Sequence, residues 1–218
     1  MENNVTAEAR QRAERSEAIL RGQGVPINTW LPVTETEEEA KLRTRDEVCY
    51  RALSLIVVAI NADCLDPAFA ERLVHYYGLE PYLTPKERAF LKAELPSDQD
   101  LAIFLWRVEA AWVLLWALGY VKELEKPETV CEVRQAVAFI KQKTAAQFIA
   151  DARLRPLAEI LDEADLIYRY HWAVVDARVN GRDIPAGLDP GVTYERHYSL
   201  NWLVGYMDQD WDDIATDT

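Results

Sequence analysis

Helix-start signals recur along the whole chain, and they limit the possible fold more than any other sequence feature. Thr44, Thr84 and Thr144 each stand three residues before Glu or Gln, and Asp66 and Asp189 each precede a proline. Such side chains accept hydrogen bonds from the free N–H groups of a first helical turn, where proline is also favoured. The segments between these signals carry apolar residues at 3.6-residue spacing and almost no alternation of period two. The sequence therefore predicts an all-α fold.

The predicted helices fill most of the chain. They cover residues 5–22, 44–62, 67–77, 85–94, 98–121, 129–141, 145–152, 156–180 and 190–207. Two connections stand out, the proline-marked residues 22–41 and the turn-rich residues 180–191. We predict a single multi-helix domain, orthogonal or bundle-like, in which an N-terminal helix and arm (residues 1–41) pack on a body of residues 42–218. Trp30 and Leu31 are expected to tuck the arm onto this body.

The charge balance excludes two classes of partner. The chain has 37 acidic and 24 basic residues, for a net charge of −13. This excess repels phosphate backbones and anionic lipid head groups, and the basic residues form no cluster. We therefore expect neither nucleic acid nor a membrane surface as a partner.

Cysteine spacing and the apolar stretches predict a cytoplasmic protein. Cys49, Cys64 and Cys131 are far apart and lack the C-x-x-C spacing of zinc or redox sites. The first twenty residues contain no continuous apolar segment typical of a secretory signal. The longest apolar stretch, residues 101–121, is interrupted by two charges, and the remainder is too short to span a bilayer.

The tetrad Asp162-Glu163-Ala164-Asp165 matches the four letters that name a group of ATP-driven helicases. In such motors the tetrad ends a β-strand and faces a Gly-rich loop with a lysine that binds phosphates. Here the preceding residues have a helical pattern, and no G-x-x-x-x-G-K-[ST] sequence occurs. The helicase interpretation is therefore rejected.

The helix around the tetrad carries a polar strip. Projection at 100° per residue places Asp165, Arg169 and Asp176 on one side, beside Trp172, while apolar residues occupy nearly every other direction. Asp165 and Arg169 form an i,i+4 pair of opposite charge. The strip is either a buried ionic brace or the wall of a polar pocket, because buried ion pairs serve both roles.

The last predicted helix brings a second polar group. Tyr194, His197 and Asn201 share a face, while Arg196 lies among apolar residues and needs a carboxylate partner. Asp165, Asp176 and Glu109 are the candidates. His171 and His197 are either hydrogen-bonded histidines of the core or its rim, or a general base or ligand-binding group.

Glu109 is the third polar feature, in the middle of an apolar helix with Trp112 and Trp116. A carboxylate in such a place is either protonated or paired with a cation, for which Arg196 and Arg169 are the candidates. The group is either a structural salt bridge or, with the Trp faces, part of a small-molecule pocket.

The acidic C-terminal residues 207–218 resemble the start of a Ca²⁺ loop, but Asp213 stands where glycine is required. No H-E-x-x-H motif or paired Cys/His spacing occurs either. We therefore expect neither metal nor cofactor, and we interpret this segment as a solvated acidic tail.

Five stretches resemble one family over nearly the full chain. They are "RSEAILRGQGVPINTWLP", "RTRDEVCYRAL", "WRVEAAWVLLWALGY", "ILDEADLIYRYHWAVVDAR" and "GLDPGVTYERHYSLNWL". In these the chain is similar to the bacterial family DUF4272, a domain of unknown function. The resemblance implies no activity, cofactor or catalytic residue.

Two hypotheses of function remain. The first is a non-enzymatic helical domain that binds a small molecule or a protein partner. The second is an all-α metal-dependent phosphohydrolase acting on a nucleotide, with Asp162, Glu163, Asp165 and Glu159 as metal ligands. The second is less favoured, because helical geometry sends Glu163 to a different side from Asp162 and Asp165. A homo-oligomer is possible through tyrosines 76, 77 and 82.

Overall fold

The computed structural model describes residues 6–218, and these form helices and no β-strands, which confirms the predicted all-α class. In the described part of the chain the α-helices are α1 Ala7–Gly22, α2 Arg45–Cys64, α3 Pro67–Tyr77, α4 Pro85–Lys92, α5 Asp98–Ala117, α6 Val133–Ile140, α7 Ala145–Asp151, α8 Leu157–Val179 and α9 Pro190–Val204. The other elements there are single 3₁₀ turns at Pro185–Gly187, Tyr206–Asp208 and Trp211–Asp213. The predicted start of the first helix, residue 5, lies outside the described residues.

The predicted helix starts are confirmed at the level of individual hydrogen bonds. Thr44, Thr84 and Thr144 each accept from the N–H three residues on, and the Glu or Gln at that position bonds back. Asp66 and Asp189 cap α3 and α9 with their carboxylates. These motifs act within four residues, so they form whatever the tertiary environment is.

The helices pack in a fixed order around one core. The long apolar helices α2 and α5 pack against each other, α9 packs on α5, α8 on α9, and α1 on the outer side of α8. The shorter α3 and α4 pack on α2, while α6 and α7 pack at the α2 and α5 surfaces. As a result α8 and α9, which carry most of the predicted site residues, lie between the core and the N-terminal helix.

The arm between α1 and α2 crosses the end of α9 and is held by its backbone. The N–H groups of Lys41 and Arg43 donate to the carbonyls of Val204 and Leu203, at 2.9 and 3.0 Å. The expectation that Trp30 tucks the arm onto the body is wrong, because this side chain is 92% exposed. The backbone hydrogen bonds of Lys41 and Arg43 hold the arm instead. Leu31 is partly buried.

Two predicted helices overrun their true ends because a glycine follows. Gly119 and Gly205 have positive φ values of 81° and 73°, beyond α5 and α9, which were predicted to continue to residues 121 and 207. Left-handed backbone ends a helix and favours glycine.

In the described residues no helix combines the length and the apolarity that crossing a bilayer requires.

Replacing Gly205 by alanine is expected to lower the free energy of unfolding by at least about 1–2 kcal/mol, the usual penalty of left-handed backbone for an L residue. The added Cβ would also lie 2.7 Å from the carbonyl oxygen of Lys41, so the arm would have to shift. Urea unfolding measures the change. Gly22→Ala is the matched control, because its Cβ meets nothing within 4 Å and its φ is not positive; equal stability of the two variants would contradict the explanation.

The C-terminal segment is not the solvated tail that its acidity predicts. Trp211 and Ile214 are buried, and the Tyr198 hydroxyl donates to the Trp211 carbonyl. Asn201 Nδ2 donates to the Ala215 carbonyl at 2.8 Å. The carboxylates occupy the outer side, where Asp212 accepts from the backbone N–H of Lys86. Apolar residues between the acids therefore fold this segment back over α9.

Candidate functional site

The carboxylate partner of Arg196 is Glu109. Arg196 Nε lies 2.9 Å from Glu109 Oε1, and both side chains are almost completely buried. Glu109 Oε2 accepts from the N–H of Cys131 at 2.7 Å, and Arg196 Nη1 donates to the Glu125 carbonyl. Each charged group is thus neutralised and hydrogen-bonded, and the pair connects α5, α9 and the loop before α6. This geometry matches the brace predicted as one alternative.

Asp165 and Arg169 form the second brace. Arg169 Nε and Nη2 donate to both carboxylate oxygens of Asp165, at 2.8 and 3.2 Å. The Thr34 hydroxyl of the arm also bonds Asp165 at 3.3 Å, and Glu17 of α1 lies 3.5 Å from Arg169. The pair therefore links α8 to α1 and to the arm.

Asp176 does not join these buried groups, although helical projection places it on the same strip. Asp176 is half-buried near the end of α8. Its carboxylate pairs with Arg182, and its Oδ1 accepts a hydrogen bond from Asn180 Nδ2 at 2.9 Å. The predicted strip is two turns too long, because the last turns of α8 extend past α1 towards solvent.

His171 and His197 face each other across the α8–α9 interface. Their Nδ1 atoms are 2.8 Å apart, so one ring donates Nδ1–H and the other accepts. Burial lowers the pKa of His171 to about 4, with the neighbouring Arg178 adding to the effect. Burial also lowers the pKa of His197 to about 3, with His171 contributing. At neutral pH both rings are uncharged and share one hydrogen bond.

The Nε2 atoms of this histidine pair have no hydrogen-bond partner within residues 6–218. Nε2 of His171 and Nε2 of His197 make no hydrogen bond with a described residue, and neither is among the side-chain atoms sealed from solvent. Yet the residues themselves are only 7% and 2% exposed. Each of these nitrogens therefore has an open hydrogen-bonding position on an otherwise buried side chain.

Each open nitrogen belongs to a residue that lines a cavity. His197 lines the arm cavity, of about 360 Å³, which lies between the arm, α8, α9 and the C-terminal segment. His171 lines the helix cavity, of about 380 Å³, which lies between α5, α8 and α9. Both volumes are at the small end of the roughly 300–1,000 Å³ typical of ligand sites. The histidine pair therefore joins two cavities through one hydrogen bond.

The arm cavity has polar groups placed around a partly apolar interior. Tyr168, His197 and Asn201 come from α8 and α9, and Glu35 and Tyr206 come from the arm and the segment after α9. The Oδ1 of Asn201 has no partner in the described residues, since only its Nδ2 is bonded. Burial raises the pKa of Tyr168, so its hydroxyl is a neutral donor.

The family model described as Domain of unknown function (DUF4272) matches residues 12–214. The chain belongs to this family. Searches among curated proteins and solved structures found no match.

In this DUF4272 member the first acid of the tetrad has a structural partner that sequence reasoning missed. Arg12 is 1% exposed and bonds Asp162 Oδ1 at 3.2 Å and the Glu35 carbonyl at 2.8 Å. Arg15 reaches the same oxygen of Asp162 at 2.5 Å. The tetrad thus anchors α1 on α8. No local signal identifies the contact, because 150 positions separate Arg12 from Asp162.

Two more buried pairs in this DUF4272 member were not predicted. Arg107 lies 3.0 Å from Glu195, with its guanidinium over the Tyr198 ring. Arg51 binds Glu87, the same residue that closes the capping box at the start of α4. A capping glutamate is usually exposed, and nothing in the local sequence indicates that this one is buried.

The donor chemistry of the described residues does not suggest a metal site. Among residues 6–218 no three His, Cys, Asp or Glu side chains come together in an arrangement suited to a metal ion. Asp162 and Asp165 already bind guanidinium groups. Glu163 points elsewhere, as its position on the helix predicts, and burial raises its pKa to about 7.

Proposed function

We propose that this protein is a non-enzymatic binding domain that takes a small molecule into the arm cavity. The observation that carries the proposal is the open Nε2 of His197, on a side chain only 2% exposed that lines a cavity of ligand size. A bound molecule would supply the missing hydrogen bond. The braces at Glu109–Arg196 and Asp165–Arg169 hold α8, α9 and the arm in the relative positions that form the cavity.

The chemistry of the walls favours a small organic amine. Glu35 and Asp217 line the cavity, and neither carboxylate has a hydrogen-bonded partner among the described residues. Tyr168 and Tyr206 present aromatic faces, which attract cations. His197 and Asn201 offer acceptors to an ammonium or amine N–H. No arginine or lysine lines this cavity among residues 6–218, so an anion would find no partner.

Phenethylamine is a suitable probe because it joins an aromatic body to a primary ammonium group. Calorimetric titration is expected to give saturable binding to the wild type, and weaker or no binding of the neutral analogue 2-phenylethanol. Glu35→Gln and Asp217→Asn are each expected to raise the Kd about 3–10-fold, which corresponds to a loss of about 0.6–1.4 kcal/mol.

The matched control for this experiment is Asp213→Asn, which removes an exposed carboxylate of the same segment outside the cavity. It should leave the Kd of phenethylamine unchanged. Equal binding of the amine and the alcohol would contradict the proposed ligand class, and an equal effect of Asp213→Asn and Asp217→Asn would contradict the proposed site.

The phosphohydrolase alternative receives less support from the same residues. Mg²⁺ binding needs free carboxylate oxygens on facing helices. Arg12 and Arg15 bind one oxygen of Asp162, and Arg169 binds both oxygens of Asp165. A metal held by Asp165 would have to displace the Arg169 guanidinium. Stabilisation of the protein only by a nucleotide and Mg²⁺ together would favour the enzyme over the binding domain.

A further inference from the structure

One arginine that lines the helix cavity has no partner among the described residues. Arg107 and Arg182 nearby each pair with a carboxylate, Glu195 and Asp176 respectively. The Arg178 guanidinium, which lines the same cavity, makes no hydrogen bond or ion pair with any described residue. Arg178 is exposed, so its guanidinium is accessible to an anion in the cavity, and it is a local positive charge in a protein with a net charge of −13.

His171 lines the same cavity and has one ring nitrogen with no hydrogen-bond partner among the described residues. His171 is 7% exposed, its Nδ1 is engaged with His197, and its Nε2 has no partner in the described chain. His171 and Arg178 are seven positions apart on α8, on the same side of the helix, and both line this cavity. Glu195 is the other ionised group on the cavity wall, and its pairing with Arg107 at 3.0 Å neutralises it.

The remaining walls of the helix cavity are apolar and aromatic. Trp106 and Ile103 of α5, Val174 of α8 and Tyr194 of α9 line it. Gly191 allows the Trp106 ring to lie directly on α9, since a Cβ there would come within 2.6 Å of the ring. A ligand of matching shape therefore has an apolar body and one anionic end.

We infer that the helix cavity is a second binding site, for a small carboxylate with an aromatic or branched apolar body, whose carboxylate binds Arg178 and accepts the Nε2–H of His171. Arginine and a ring N–H both donate, and a carboxylate only accepts, so the polar ends match. The apolar body packs on Trp106 and Val174. The site itself is independent of the function proposed for the arm cavity.

The histidine pair couples the two cavities through its tautomers. When His171 carries its proton on Nε2, for a carboxylate, its Nδ1 is an acceptor and His197 must donate Nδ1–H to it. The Nε2 of His197 is then bare and accepts from an amine in the arm cavity. A carboxylate and an amine therefore favour the same arrangement of protons, and each strengthens the binding of the other. This coupling rests on the proposed amine site.

Titration of the full chain with phenylacetate tests the second site. Calorimetry should detect binding, while the neutral isostere phenylacetamide should bind at least about tenfold more weakly. Arg178→Gln should raise the Kd for phenylacetate at least about tenfold, because it removes a charge-assisted hydrogen bond. Arg178→Lys should restore part of the affinity. Arg72→Gln, which removes an exposed arginine on α3 outside the cavity, is the matched control.

Two results would overturn the site. These are equal Kd values for phenylacetate and phenylacetamide, or a Kd unchanged by Arg178→Gln. Neither depends on the amine, so a failure of phenethylamine to bind leaves this test intact and counts only against the arm-cavity proposal.

The tautomers are read directly from ¹⁵N-labelled histidine in the wild type, where protonated and bare ring nitrogens have well-separated shifts. With phenylacetate bound, Nε2 of His171 should be protonated and Nε2 of His197 bare. Saturating phenethylamine should then lower the Kd of phenylacetate about fivefold, at the low end of usual coupling between sites. A bare Nε2 on His171 in the complex would overturn the coupling.

Discussion

Glu109→Ala is expected to lower the free energy of unfolding by about 3–5 kcal/mol, the usual cost of breaking a buried ion pair from one side. The substitution leaves the Arg196 guanidinium buried with only the Glu125 carbonyl as partner, and it orphans the N–H of Cys131. In a chain of 218 residues each kcal/mol shifts Tm by about 2–4 °C. Thermal unfolding should therefore show a Tm lower by about 6–20 °C.

The control for Glu109→Ala is Glu123→Ala, which removes an exposed carboxylate a short distance further along the chain. Its Tm should stay within about 1–2 °C of the wild type, since exposed substitutions usually change stability by less than about 0.5 kcal/mol. The double variant Glu109→Met with Arg196→Met should be more stable than either single variant, because no buried charge is left alone. A single variant with the melting curve of the wild type would contradict the brace.

Acidification is expected to remove the stability that comes from the histidine pair. Both rings have folded pKa values below the 6.5 of the unfolded chain, about 4 for His171 and about 3 for His197. The unfolded state therefore binds more protons between these values and pH 6.5. Stability is fully present above pH 6.5 and falls as the pH drops, by about 1.4 kcal/mol per pH unit for each ring.

Two carboxyl groups with raised pKa values, Glu163 and Glu195, oppose this loss. Burial raises the pKa of Glu163 from 4.5 to about 7, and it raises the pKa of Glu195 despite the pairing with Arg107. A carboxyl group with a raised pKa contributes stability at low pH that is lost as the pH rises, for Glu163 between 4.5 and 7. The histidine effect is therefore measured best as a difference between variants.

His197→Asn provides that difference, since the amide keeps a hydrogen bond to His171 and does not titrate. Between pH 6 and 4.5 the wild type should lose about 1.5–2 kcal/mol relative to this variant in urea unfolding. Glu163→Gln removes one of the opposing acids. The free energy of unfolding of this variant should therefore fall more steeply with decreasing pH than that of the wild type. Parallel curves for the wild type and His197→Asn across this range would show that the pair does not titrate in this way.

The amino-acid pattern predicts the helices of this chain closely because their signals are local. Thr44, Thr84 and Thr144 bond groups only three residues away, and the predicted boundaries of α3 match the structure. The errors have local causes as well. The pattern predicts that α5 and α9 continue past the glycines that end them, because apolar residues follow these glycines.

The sequence indicated several residues of the candidate site, but it did not indicate how they are arranged in space. Glu109, Arg196, Asp165 and Arg169 were expected to form ion pairs, and they do. The direct contact between His171 and His197 was not expected. The two cavities were also not expected. The arm and the C-terminal segment line one of them, and neither segment has a periodic sequence pattern that would predict its position.

By itself the sequence determined the all-α class, most of the helix starts and several of the polar residues that are buried. These properties depend on contacts within a few residues and on the apolar face of each helix. The tertiary structure alone decided the partners. Glu109 and Arg196 are 87 positions apart, His171 and His197 are 26 apart, and Arg12 and Asp162 are 150 apart. Such contacts depend on how whole helices pack, and several carboxylates in the sequence were equally suited to each arginine.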